Sequence, residues 1–180
     1  MTPFDAVALL GSPHDVQAFD CGSDAQTLWL RRHALQAQQA DTARVFVVCY
    51  GGTLRVAGYY ALAAGSVSPD AAPARIATGV GRHPVPVVIL ARLGVDRQAQ
   101  GQGLGTTLVR DALLQTAATA ERVAVRALLI HAESDRAAAF YCGLDPAFEP
   151  MPSEPLHLVL LLKDLRKAVR RAAADGMSRG

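Results

Sequence analysis

Apolar positions along the chain change their period several times, and each change marks an element. In SDAQTLWLRRHALQAQQ, Ser23 and Gln26 stand at capping-box spacing, so a helix is predicted to start near Asp24. Leu28, Trp29 and Leu35 would share its inner face, with Arg31, Arg32 and His33 turned partly outward. RVFVVCY and LRVAGYYALAAGSV are rich in β-branched and aromatic residues and flank Gly51-Gly52, a pattern that predicts two strands joined by a tight hairpin. From about Ser68 to Pro86, Pro69, Pro73, Pro84 and Pro86 break any periodicity, which predicts a long loop with room for a short helix. VPVVILARLGV is apolar almost throughout and reads as a buried strand. Helical spacing returns in LGTTLVRDALLQTAATA, where Leu104, Leu108, Ala112 and Leu113 line one side. VAVRALLIHA then predicts a strand, SDRAAAFY a helix opened by Ser134 or Asp135, and LHLVLLL a last strand. The tail KDLRKAVRRAAADGMSRG predicts a basic helix over about 163–174 that frays from Asp175 onward.

A hairpin followed by alternating strands and helices makes this a mixed α/β chain. Its 180 residues suit one domain with a substantial core, and no repeat, linker or shift in composition marks a second. The single domain is therefore expected to span 1–180. Charge changes little in this picture: a formal net charge of +2 does not by itself argue for a nucleic-acid partner. Cys21, Cys49 and Cys142 are odd in number and show no CxxC spacing, so buried thiols in a reducing cytoplasm are expected rather than disulfides. His14, His33, His83 and His157 are scattered, with no carboxylate or Cys at ligand spacing, and no metal site is expected. The N-terminal MTPFDAVALL lacks the basic start of a signal peptide. Val85–Leu93 and Leu156–Leu162 fall well short of the ~18 residues that span a bilayer. A cytoplasmic protein without a membrane partner is the expectation.

The chemistry concentrates in RQAQGQGLG, Arg97 to Gly105, between the apolar strand and the helix. A helix N-terminus carries unpaired N–H groups and partial positive charge, and glycines there let the backbone approach an anion with no Cβ in the way. Gly101, Gly103 and Gly105 thus look like a pyrophosphate cradle, the alternative being a glycine-rich turn kept only for chain reversal. No Gly-Lys pair occurs in the chain, which excludes a Walker loop, and the spacing differs from the dinucleotide fingerprint.

The arrangement Gln98-x-x-Gly101-x-Gly103, after LGVD and before a helix, resembles the acyl-CoA loop of the GNAT acetyltransferase superfamily. SDRAAAFY, Ser134 to Tyr141, resembles that family's N-x-x-A-x-x-F-Y helix, with Ser134 in place of the usual asparagine. The resemblance implies a mostly antiparallel central sheet, flanked by helices and splayed at the acetyl-CoA site. Leu93, Gly94 and Val95 would pair with the pantetheine arm. Gln98, Gln100, Gly101, Gln102, Gly103, Leu104, Gly105 and Thr106 would form the phosphate loop, and Ser134 a further cofactor contact. Further stretches, HDVQAFDCGSDAQTLWLRRHA, VAGYYALAAGSV and HPVPVVILARLGVD, resemble the GNAT-type toxins of type II toxin–antitoxin systems, over roughly His14 to Leu165. That resemblance implies acetyl-CoA-dependent acetylation of the α-amino group of aminoacyl-tRNA, which blocks translation, together with a ribbon–helix–helix antitoxin and a homodimer.

Tyr141 is the candidate catalytic residue. A thiolate must leave on acyl transfer, and a phenol with an ordinary pKa near ~10 is protonated at neutral pH and able to supply the proton. The bland alternative is a core aromatic at the end of an amphipathic helix. His131 and Glu133 end a strand and are candidates for a base, a job that water could also do. Arg31, Arg32, Arg75, Arg82 and Arg92 are candidates for RNA contacts, against the simpler reading that exposed arginines are merely solvated. After FY the family continues x-x-x-G-F-x-P, whereas CGLDPAFEP puts Phe148 and Pro150 two positions late. Two other functions compete: an acetyltransferase for a small amine or protein N-terminus, and a non-catalytic acyl-CoA-binding module that would not need Tyr141.

Overall fold

The computed structural model describes residues 3–177. Strands β1 (Ala8–Leu9), β2 (Arg44–Cys49), β3 (Val56–Val67), β4 (Val85–Val95), β5 (Ala127–His131), β6 (Glu149–Pro150) and β7 (His157–Leu161) form one sheet in the order β1-β2-β3-β4-β5-β7-β6. The pairs β1–β2, β2–β3, β5–β7 and β6–β7 are antiparallel. Helices α1 (Asp24–Arg32), α2 (Ala34–Gln39), α3 (Ala74–Ala77), α4 (Leu104–Ala120), α5 (Asp135–Cys142) and α6 (Leu162–Met177) complete the mixed α/β architecture. The chain divides into two compact units, one made of the residues up to Ala63 with Leu90–Ala112, the other of Ala64–Ile89 with the residues from Leu113 onward.

In the first unit, Leu30 and Ala34 pack with Phe19, Val45, Val47 and Tyr59 in a core with almost no solvent access. Ser23 caps α1 as its sequence spacing predicts, its hydroxyl accepting from the Gln26 N–H. The inner face is different from the expected one. Thr27 and Leu30 are buried, whereas Leu28 is 41% exposed. The helix breaks at His33, whose φ of −122° leaves the helical region, so a period counted straight through residues 24–39 loses phase. Trp29 and Leu35 remain half-buried against the core, as anticipated. The hairpin is also wider than Gly51-Gly52 suggests: strand pairing stops at Cys49 and resumes at Val56. Leu54 and Arg55 leave the ladder because Arg55 bridges to Asp15, while the Tyr50 N–H closes the loop on the Arg55 carbonyl.

In the second unit, Val85, Val87, Ala127, Leu129 and Val159 form the core with Ile76 from α3. The proline-rich loop carries the short helix for which it has room. Arg126 fastens that helix by donating to the carbonyls of Ile76 (3.1 Å) and Thr78 (2.9 Å). The β1 and β6 segments, two residues each, have no legible period and are absent from the sequence-based assignment. Leu162, expected at the end of the last strand, instead opens α6. That helix runs to Met177, past Asp175, where the fray was expected to begin; the rest of the expected fray, residues 178–180, lies outside the described ones.

Candidate functional site

The glycine loop grows out of the end of β4. Gly94 lies where a Cβ would come within 2.9 Å of Tyr59 and 3.2 Å of Phe19, so glycine is required for the strand to approach these rings. Leu93 and Val95, on either side of it, are half-buried. A 3₁₀ turn follows over Arg97–Ala99 and ends on the fully buried Ala99. The glutamines shape what comes next. Gln100 donates to the carbonyls of Cys21 and Val95, both at 3.0 Å, and Gln102 donates to that of Gln98. Gln98 in turn accepts from the Arg55 guanidinium at 3.0 Å.

Gly101 and Gly103 have φ of +76° and +80°, and a Cβ on either would meet nothing within 4 Å. Backbone conformation, with open space in front of it, is what these positions demand. The helical bonding of α4 begins with the Thr107 N–H donating to the Gly103 carbonyl. N–H groups before that point, including those of Gly105 and Thr106, are the donors that a helix start leaves without intrahelical partners. Leu104 is buried, its side chain 3.1 Å from where Gly58 would carry a Cβ, and this anchors the start of the helix. Bare, left-handed backbone beside a helix N-terminus fits a pyrophosphate.

Ser134, Tyr141, His131 and Glu133 lie in the second unit. Ser134 caps α5, its hydroxyl accepting from the Ala137 N–H at 3.2 Å. The helix presents Phe140 outward and buries Tyr141. Tyr141 is held edge-on between Phe140, at 5.1 Å between centroids, and Phe148, at 5.9 Å. Although its turn is altered, Phe148 still reaches the Tyr141 ring, and the Phe148 N–H lies 3.5 Å from the Tyr141 carbonyl. Burial pushes the phenol well above its ordinary range, so it is protonated throughout the neutral range. His131 stacks on His157 with centroids 4.0 Å apart. His131 is exposed at the end of β5; partial desolvation, and after it the neighbouring His157, lowers its pKa and favours the neutral ring. Glu133 is exposed.

Residues 13–144 match the model of the acetyltransferase (GNAT) family. The chain belongs to this family. It is 42% identical over 169 residues to the tRNA-acetylating toxin of Mycobacterium tuberculosis, covering 94% of this chain and 99% of that protein. A probable toxin TacT from Sinorhizobium fredii is 28% identical, covering 85% of this chain and 88% of the relative. Among solved structures, AtaT complexed with acetyl-methionyl-tRNAfMet is 27% identical and superposes with a TM-score of 0.81 over 89% of this chain and 96% of that one. A tyrosine-to-phenylalanine mutant of AtaT, bound to the C-terminus of the antitoxin AtaR and to acetyl-CoA, matches with a TM-score of 0.77 at 27% identity, over 91% and 96% of the two chains.

Within this GNAT chain the arginines fall into distinct settings. Arg32 and Arg82 are exposed. Arg31 is half-buried and donates to the Phe19 carbonyl at 2.6 Å, while its Nε is buried without a hydrogen-bond partner. Arg92 lies 5.5 Å above the Trp29 ring. Arg75 is also exposed and forms surface ion pairs with Glu149 and Asp164, at 2.6 Å from each. Sequence reasoning passed over Asp96, which is almost fully buried at the entry to the glycine loop and accepts from the Tyr50 hydroxyl at 2.9 Å. Its one local signal is an Asp at the start of a turn after a strand, the position of a capping residue. Among the described residues no group of three or more His, Cys, Asp or Glu is placed to hold a metal, and no helix is long and apolar enough to cross a membrane.

Proposed function

We propose that this chain is an acetyl-CoA-dependent N-acetyltransferase toxin that acetylates the α-amino group of aminoacyl-tRNA and thereby blocks translation. Identity of 42% with a tRNA-acetylating toxin, along nearly the whole of both chains, is the observation that carries this reading. The loop from Gln98 to Thr106 would hold the pyrophosphate of acetyl-CoA, and Leu93–Val95 the pantetheine arm. Ser134, whose hydroxyl can still donate while it caps α5, would contact the same arm. Acetyl-CoA supplies an acetyl thioester; the amine forms the new amide bond, the C–S bond breaks, and the departing thiolate takes its proton from the Tyr141 phenol. His131 and Glu133 are both candidates for the base: the neutral imidazole keeps one ring nitrogen free to accept the amine proton, and a carboxylate can accept it as well.

For the acceptor, Arg32 and Arg82 are the exposed cations best suited to RNA phosphates, with Arg31 and Arg92 nearer the packed interior. Arg75 is exposed as well, but it shares its charge with Glu149 and Asp164, which weakens its attraction for RNA phosphates. The same reading places the protein in the cytoplasm as one acetyltransferase domain, homodimeric and neutralised by a ribbon–helix–helix antitoxin.

The test is transfer from labelled acetyl-CoA to total charged tRNA, to free amino acids and to small amines. Acetylated aminoacyl-tRNA as the dominant product supports the proposal. Good turnover of small amines, with none of charged tRNA, would make the protein a small-amine acetyltransferase instead. Acetyl-CoA binding with no turnover on any acceptor would mark a non-catalytic acyl-CoA-binding module.

A further inference from the structure

We infer that Asp96 is the positioning residue of the glycine loop, its carboxylate fixing the orientation in which the Gln98–Gly105 backbone meets the pyrophosphate of acetyl-CoA. The inference rests on the acetyl-CoA reading of that loop. It stands on a concentration of bonds around one side chain that is only 2% exposed. Oδ1 accepts from the Gln98 N–H at 3.0 Å and from the Tyr50 hydroxyl at 2.9 Å. Oδ2 accepts from the Asp20 N–H at 3.2 Å. The Arg55 guanidinium lies 3.9 Å from Oδ1, and the same nitrogen donates to the Gln98 side chain. Asp96 is also tied through its backbone: its N–H donates to the Ala57 carbonyl, and its own carbonyl accepts from the Ala99 N–H, both at 2.8 Å.

A buried carboxylate is unfavourable unless several donors replace its lost water, and here three donors and a cation converge from three segments of the chain. The Gly103 carbonyl accepts from the Thr107 N–H, and Gln100 ties the loop to the carbonyls of Cys21 and Val95. Asp96 pins the turn that leads into this segment and so sets the direction from which Gly101 and Gly103 start. A carboxylate also matches this donor set better than an amide would. Asn at this position keeps an acceptor for Gln98 and Tyr50 but turns an NH₂ toward the Asp20 N–H, setting two donors against each other.

The experiment compares wild type with Asp96→Asn and Tyr50→Phe, using acetyl-CoA and S-acetyl-pantetheine, which lacks the pyrophosphate, as alternative donors to charged tRNA. Calorimetric Kd values for acetyl-CoA give a measure that needs no acceptor. Asp96→Asn is expected to raise the Kd and KM for acetyl-CoA about tenfold, with kcat at saturation held within about twofold. S-acetyl-pantetheine should hardly register the change. Tyr50→Phe, which keeps the carboxylate and removes one donor, should shift the same values by about threefold and keeps the test open should Asp96→Asn not fold. Equal losses with both donors would show that Asp96 only stabilises the fold, and an unchanged acetyl-CoA Kd in folded variants would overturn the inference while leaving the cofactor reading intact. If wild type itself does not prefer acetyl-CoA to S-acetyl-pantetheine, the pyrophosphate reading of the loop fails, and this inference with it.

Discussion

Replacing Tyr141 by Phe should separate chemistry from packing with unusual clarity. The ring is 6% exposed and lies edge-on to Phe140 and Phe148, contacts that Phe retains in full. Burial is the whole cause of the raised phenol pKa, with no hydrogen bond from another side chain contributing. The Tyr141 oxygen is not among the fully buried polar atoms that lack a partner, so removing the hydroxyl leaves no buried group unpaired and should cost little stability. Stability should stay within about 1 kcal/mol of wild type, a Tm change of no more than about 4 °C for a chain of this size. Turnover should nevertheless fall by about 10²–10⁴, or roughly 3–5 kcal/mol of transition-state stabilisation, the usual loss for a general acid. Acetyl-CoA affinity should not move. The assays are thermal unfolding, calorimetry with acetyl-CoA and single-turnover transfer to charged tRNA. Turnover within about threefold of wild type would refute the role of proton donor. A Tm lowered by more than about 4 °C would refute the claim that the hydroxyl is structurally idle.

Gly94→Ala would place a methyl 2.9 Å from the Tyr59 ring, inside the first unit's core, and overpacking of this kind should lower stability by about 1–3 kcal/mol in a denaturant titration; an unchanged midpoint would show that the strand can retreat freely. Because the folded His131 pKa lies below its ordinary value, the unfolded chain binds the proton more readily. The stability this residue contributes is thus complete above pH ~6.5 and is lost as pH falls through the folded value. Tm should decline more steeply below pH ~6.5 in wild type than in His131→Gln, and identical slopes would count against the His131–His157 stack as an acid-sensitive contact.

Local signals in the sequence were enough to determine the order of the longer strands and helices, though not β1, β6 or the division of α1 from α2, together with the capping roles of Ser23 and Ser134 and the place of the glycine loop. Each depends on groups a few residues apart: a hydroxyl and an N–H three positions on, or a backbone conformation that only glycine adopts cheaply, as at Gly101 and Gly103. The candidacy of Tyr141 was legible for a similar reason, since a short motif sets it at the end of one helix. The face of α1 was not: the break at His33 puts Leu35 on a separate helix, and within α1 Leu30 is buried while Leu28 is exposed. Tertiary structure alone decided the fates of two charged residues. Arg75 finds its carboxylates 74 and 89 positions away, and Asp96 draws donors from 46 and 76 positions away. Neither partnership leaves a trace in local periodicity, because burial and charge pairing act between segments that only folding brings together, and there the surrounding donors and the loss of water determine what a charged side chain does.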